Sequence, residues 1–264
     1  MSETGSGVLD VQVADGLAVV TMQRPEALNA LNMELKEAMA GWLADVRYDD
    51  SVRAVLITGS GRAFCAGGDL SEMDPNRTPH QARTRQDKLL RDVFIPLAQL
   101  PKPVVAAVNG HAHGAGLSLA LACDIVIADE SAAMSLGYVH RGLVPDCGIL
   151  YFLPRLVGTA RAKELLLTGR RFDAREALGM GLIAQTAPTD ELMPRARAVA
   201  RGLAEGASVA LGMTKTLLDQ SWQLTLEQVS ELEAFSQSVC RSSSDHLEGL
   251  AAFSEKRPAA FTGT

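Results

Sequence analysis

No two cysteines of this 264-residue sequence form a CxxC pair. Cys65, Cys123, Cys147 and Cys240 are scattered, with no histidine at ligand spacing. A disulfide or zinc framework is therefore not expected, no metal site is read, and a reduced, cytoplasmic setting is the expectation. No apolar run is long enough to span a bilayer, so no membrane partner is expected. Positive charge is not in excess either. A net charge of -6 argues against nucleic acid as a main partner. The opening residues, Met1 to Gly7, have neither a basic start nor an apolar segment, so no secretory leader is expected. What remains is 47% hydrophobic and 21% charged, over a length that can bury a full core.

The chain is organised around Lys102 to Gly148. Val104 to Val108 is an unbroken apolar run rich in β-branched residues, which predicts a buried strand. It breaks at Asn109-Gly110, passes through His113-Gly114-Ala115-Gly116 and becomes helical over Leu117 to Ala122. A second strand-to-glycine transition lies upstream. Val52 to Thr58 predicts a strand, and Gly61 to Leu70 carries the glycines Gly67 and Gly68.

Around these, Val8 to Ala14 and Leu17 to Met22 flank Asp15-Gly16, a hairpin signal. Asn32 is placed to cap a helix over residues 33–48. Glu72 to Gln81, with Pro75 and Pro79, reads as a mobile loop ahead of a helix over 82–100. Residues 151–157 and 160–168 read as helical, Asp173 with Glu176 as a capping box, and Leu182 to Ala187 as a short strand. Beyond about Thr189 only helices are predicted, two opened by Thr225 with Gln228 and by Asp245 with Glu248. Leu226, Val229, Leu232, Phe235 and Val239 form an apolar stripe. The division expected is an α/β core carrying the site over 1–195 and a helical region over 196–264.

A glycine turn that opens a helix leaves backbone N–H groups unpaired. Two such turns brought together would make a two-donor pocket for a carbonyl oxygen gaining negative charge, each donor contributing roughly 3 kcal/mol to a transition state. The alternative is that both are tight turns needing glycine only for conformation.

The residues of the two turns resemble a family. Ala63-Phe64-Cys65-Ala66-Gly67-Gly68-Asp69-Leu70, together with Gly110 to Asp124, is similar to the crotonase (enoyl-CoA hydratase/isomerase) superfamily. So are Arg24-Pro25 with Asn29-Ala30-Leu31, Gly142-Leu143-Val144-Pro145, and Phe253 to Pro258. The resemblance implies a spiral of ββα repeats with C-terminal helices that assemble homotrimers, often paired into hexamers. It implies an acyl-CoA thioester as substrate, with coenzyme A part of that substrate and no separate cofactor. By motif position the carbonyl would sit between the N–H groups of Cys65 and Ala115. Substrate contacts are implied for Arg24, Ala27, Leu28, Ala63, Ala66, Gly67, Gly68, Leu70, His111, Gly114 and Leu143. Asp69 would brace its turn. Lys256 would reach CoA phosphates from a neighbouring subunit or stay a solvated surface lysine.

The match fails where hydratases carry two glutamates, because those positions are Ser118 and Tyr138. Adding water across a double bond needs a group that activates water, and a serine hydroxyl cannot replace a carboxylate there. Tyr138 would donate a hydrogen bond or fill the acyl pocket. One carboxylate remains, Asp146 after Pro145. The resemblance places an acidic residue here in members such as 1,2-epoxyphenylacetyl-CoA isomerases, where it would shuttle one proton. Burial among Val144, Leu150 and Tyr151 would strengthen Asp146 as a base; alternatively, it caps the helix starting at Cys147. The expectation is an enoyl-CoA isomerase, with hydratase as the alternative. Three further readings stay open: a serine hydrolase built on Ser118, His140 and Asp146; a covalent aryl-CoA enzyme with Asp146 as nucleophile; and a non-catalytic CoA-binding protein.

Overall fold

The computed structural model describes residues 7–74 and 76–264. The chain opens with a hairpin, β1 (Leu9–Ala14) and β2 (Leu17–Met22), paired antiparallel from Leu9↔Met22 to Ala14↔Leu17. Asp15 and Gly16 both take positive φ, 51° and 76°, which matches the right-handed twist of the flanking strands. The Asn32 side chain then accepts the Leu35 N–H at 2.9 Å and starts α1 (Met33–Val46).

From here the chain repeats one move, laying a strand in each of two sheets. β3 (Ala54–Gly59) is followed by β4 (Ala63–Cys65), and then by α2 (Pro79–Leu89) and α3 (Ile95–Ala98). β5 (Val104–Val108) is followed by β6 (His111–His113) and α4 (Ala115–Leu121). β7 (Ile125–Asp129) is followed by β8 (Ala133–Ser135) and, past a short 3-10 turn, by α5 (Ile149–Thr168). Then come β9 (Arg171–Asp173), α6 (Ala174–Gly179), β10 (Gln185–Ala187) and α7 (Thr189–Ala204). The larger sheet has the order β1-β2-β3-β5-β7-β10 and the smaller β4-β6-β8-β9. Each unit thus adds one strand to each sheet, the ββα repeat that the resemblance implies, except that the last unit places α6 between its two strands.

The large sheet is buried on both faces, which is why its central strands read as continuous apolar runs. Alternate residues serve different cores. Val55, Ile57 and Ala106 face one, whereas Ala54, Leu56 and Val105 face another that α7 covers with Leu192, Ala196, Ala200 and Ala204. Residue 195 lies within α7, so the core runs through this helix, past the expected division at 195/196. After it come α8 (Ser208–Ser221), α9 (Leu226–Arg241) and α10 (Ser244–Glu255).

Several local expectations change. Thr78 and Gln81 cap each other's backbone and put Pro79 in the first turn of α2, so part of the expected loop is helix; Pro75 lies outside the described residues. The strand expected over Leu182 to Ala187 is reduced to β10. Thr225 and Gln228 form the predicted capping box, but α10 is capped by Ser243, whose hydroxyl accepts the His246 N–H at 3.1 Å. Asp245 instead binds the N–H groups of Thr262 and Gly263 and pins the C-terminal segment, while Glu248 holds Arg257. Asp173 does cap α6, but Glu176 pairs with Arg170.

Candidate active site

β4 and β6 pair in parallel, Ala63↔His111 and Cys65↔Ala112, so the glycine turns that follow them meet. The approach is close enough to demand glycine. A Cβ on Gly116 would lie 2.0 Å from the Cys65 carbonyl oxygen; one on Gly67, where φ is 98°, would lie 2.7 Å from the His113 oxygen and 3.4 Å from the Ala115 nitrogen. Both turns border a cavity of about 1490 Å³.

Which amides are left for a ligand follows from pairing. Leu31 N–H donates to the Gly67 oxygen and Asp69 N–H to the Leu31 oxygen, an isolated parallel bridge that spans Gly68 without using its N–H. Ala66 N–H donates to the Leu28 oxygen at 3.0 Å. Gly68 N–H finds no acceptor among the described residues, and Gly68 is exposed on the cavity wall. Cys65 is fully enclosed on β4 and does not line the cavity. Of this turn, Gly68, three residues past Cys65, is the glycine exposed at the cavity, whereas the expected donor Cys65 is enclosed on β4, the Ala66 amide is taken by Leu28 and Gly67 is buried. Burial pushes the Cys65 thiol up to about 12, so it stays protonated. On the second turn, Ala115 opens α4 and its N–H precedes the helical ladder; Ala115 and Gly114 both line the cavity.

The Gly67–Gly68 turn is braced by polar groups. Asp69 accepts the Ser71 N–H at 3.0 Å and pairs with Arg24 at 3.0 Å; the Ser71 bonds, with Arg24 adding to them, hold its carboxyl below the usual range. Asp69 is the brace expected. Arg24 also donates to the Ala30 oxygen and lies off the cavity wall. Asn29, fully buried at φ 55°, accepts the Arg24 N–H and donates to the Ala63 oxygen at 2.8 Å.

The opposite wall is different. Asp146 lines the cavity, and its Oδ1 is buried with no hydrogen-bond partner among the described residues. Its side chain does not cap α5, because Gly148, at φ 78°, holds that position. Nor do Val144, Leu150 and Tyr151 enclose it, since all three are exposed. Its neighbours are Tyr138 and Cys147. Burial raises both the phenol and the thiol, and the adjacent Asp146 carboxylate raises them further, so each keeps its proton. Cys147, at φ 57°, is a left-handed residue that the sequence analysis did not single out.

Tyr138 is 7% exposed and its hydroxyl lies 3.2 Å from Ser118 Oγ. Ser118 is enclosed within α4, donates to the Gly114 oxygen at 3.2 Å and does not line the cavity. A hydrolase built on it is overturned: the hydroxyl has no histidine partner among the described residues, and His140 Nε2 sits 3.2 Å from the Gly169 oxygen. His113 lines the cavity with Nδ1 2.9 Å from Ser135 Oγ. Burial, then His111, Arg171 and Arg141, lower it to about 4, so it is neutral near neutral pH. Of the residues for which substrate contacts were implied, Ala27, Ala66, Gly67, Leu70 and Leu143 line the cavity. Leu28, Ala63, His111 and Lys256 do not; Ala63 is enclosed on β4 and Lys256 ends α10. Glu72, also missed from sequence, accepts the Met33 N–H at 2.6 Å and pairs with Lys36 and Arg85 beside the cavity. Among the described residues, no three His, Cys, Asp or Glu side chains gather to hold a metal ion.

The sequence profile of the enoyl-CoA hydratase/isomerase family matches residues 12–264. The chain belongs to that family, within the crotonase superfamily. The 1,2-epoxyphenylacetyl-CoA isomerase of Escherichia coli (strain K12) is 40% identical over 253 residues, covering 95% of this chain and 97% of its own length. The short-chain-enoyl-CoA hydratase of Clostridium acetobutylicum is 37% identical over 243 residues, covering 91% and 92%. The crystal structure of an enoyl-CoA hydratase from Bacillus anthracis superposes with a TM-score of 0.92 at 34% identity, covering 97% of this chain and all of that one (100%). Enoyl-CoA hydratase/isomerase family members similar to this chain thus carry both names, and family membership leaves the choice of reaction to the site.

Proposed function

We propose that the protein processes acyl-CoA thioesters and moves a carbon–carbon double bond, as an enoyl-CoA isomerase. The thioester oxygen lies between the N–H groups of Gly68 and Ala115. Asp146 takes a proton from the carbon next to the thioester of a 3-enoyl-CoA; the electron pair spreads into a dienolate whose oxygen the two amides hold. The same proton then returns to the far carbon of the conjugated system, giving the 2-enoyl-CoA and regenerating the carboxylate.

The observation that carries this reading is the Asp146 carboxylate, buried on one oxygen and unbonded there, while the nearby Asp69 and Glu72 carboxylates are committed to Arg24, Lys36 and Arg85. Hydration is disfavoured. At the two positions where hydratases carry glutamate, a phenol kept protonated and a serine bonded to a helical carbonyl cannot activate water. The covalent aryl-CoA reading also lacks a base for water, with His113 and His140 tied to Ser135 and Gly169.

The experiment offers 3-enoyl-CoA and 2-enoyl-CoA to wild type and Asp146→Asn. Isomerisation lost in the variant supports the reading. Brisk hydration by both proteins, or acyl-CoA bound and left unchanged by wild type, overturns it.

The same family reading extends to assembly as a homotrimer or a hexamer of two trimers. Val229, Leu232 and Val239 of the α9 stripe are only half-buried within the chain, Leu226 and Phe235 are 77% and 66% exposed, and Phe253 on α10 is 87% exposed. Apolar area of this kind favours a second copy as its cover. Light scattering that finds only monomers would remove this part.

A further inference from the structure

The small sheet presents a row of side chains that the proposed reaction does not use. His113 on β6 pairs with Ser135 on β8, and Ser135 pairs with Arg171 on β9. Residues directly opposite across a sheet share a face, so these three form one row. The next row, Ala112, Met134 and Phe172, is packed into the core. The His113–Ser135–Arg171 row faces the other way and lines the cavity, as does Arg141 at the end of the turn from Gly137.

The charges on this wall are unbalanced. Glu164 and Glu176 are both engaged by Arg170. Arg171 and Arg141 have no carboxylate partner among the described residues. His113 is kept neutral by burial, with His111, Arg171 and Arg141 adding to it, and its Nδ1 lies 2.9 Å from Ser135 Oγ, so the row adds no negative charge to offset the two arginines. Two unpaired guanidinium groups beside a neutral imidazole and a hydroxyl fit an anion.

We propose that Arg171 and Arg141, with His113 and Ser135, form a subsite for an anionic group at the far end of the acyl chain, so that the preferred substrates are mono-CoA thioesters of dicarboxylic acids. The inference rests on the acyl-CoA reading above. His113 is two residues from Ala115, no more than about 8 Å of chain, within reach of the far end of an acyl group held at that amide. The CoA phosphates are the other anions of such a ligand, but the long pantetheine arm separates them from the thioester.

Calorimetry with saturated thioesters, which cannot be isomerised, tests this. Adipoyl- and suberoyl-CoA are compared with hexanoyl- and octanoyl-CoA, and with free CoA. Wild type is expected to bind at least one dicarboxylyl thioester roughly tenfold or more tightly than its monocarboxylyl match. The ratio should collapse towards one in Arg171→Gln and in the double variant with Arg141→Gln, and be partly kept in Arg171→Lys. Arg171 and Arg141 are both exposed, and Arg141→Gln alone carries the test if Arg171→Gln does not fold. A wild-type ratio near one overturns the proposal, as does a ratio that survives the double variant. If the variants weaken all ligands including free CoA by one common factor, the arginines hold CoA phosphates and the proposal also falls. Failure of wild type to bind any CoA species would instead overturn the acyl-CoA reading on which it stands.

Discussion

The two halves of the candidate site are held in opposite ways. The Gly67–Gly68 turn is knitted to its surroundings: Asn29, Arg24 and Asp69 bridge it to the entering loop, and Gly116 and Gly67 allow two backbones to touch. The Asp146 wall has few such ties, a left-handed Cys147 and a carboxylate oxygen without a partner. Rigid amides suit a group that must already point at developing charge. A carboxylate that must accept and return a proton needs one oxygen left free of a hydrogen-bond donor to receive it, as Asp146 Oδ1 is. Buried polar groups left unbonded are uncommon and concentrate where chemistry is done.

This contrast predicts that damage to the two halves reads out differently. The largest effect is expected from Asp146→Asn, which should lower isomerisation by about 10²–10⁴-fold while the thermal midpoint stays near wild type; a variant that keeps its rate would erase the distinction. Gly116→Ala strikes the braced half, where a Cβ meets the Cys65 carbonyl at 2.0 Å. It should destabilise by about 1–3 kcal/mol or more in chemical denaturation and lose activity with stability. Asp69→Ala removes a turn cap and the Arg24 pair and should cost about 1–2 kcal/mol, with a smaller loss of rate than Asp146→Asn.

The last prediction concerns pH. His113 drops from 6.5 to about 4 in the fold. Between those values the unfolded chain binds a proton that the native one excludes, so stability is full above about 6.5 and falls as the solution is acidified towards 4. His113→Asn should flatten that part of the stability–pH curve. An unchanged slope would mean that other groups set it.

Much of the scaffold was legible because it depends on near neighbours in sequence. Asp15-Gly16 specified its hairpin through positive φ, Asn32 and Thr225 capped their helices, and the apolar run at Val104 gave a strand buried on both faces. Where the reading slipped, a distant partner decided. Pro79 looked like a breaker until Thr78 and Gln81 capped each other around it. Asp245 and Glu248 looked like a capping pair but bind the segment after their own helix. Ser118 and Tyr138 were visible where the resemblance implies glutamate, and Asp146 as the acid that follows Pro145, whereas Cys147 and Glu72 gave no local signal.

By itself, the order of residues determined the recurrence of strand, turn and helix through its period, and through its motifs the resemblance to the family, which in turn implies that both hydratase glutamate positions are Ser118 and Tyr138. Only the tertiary structure decided which amide of the first turn is free. That depends on Leu31 pairing on either side of Gly68, a contact between segments far apart in the chain. It also decided that Arg171, Ser135 and His113 share one row, since strand register, set by packing of the alternate face, is not written in any single strand.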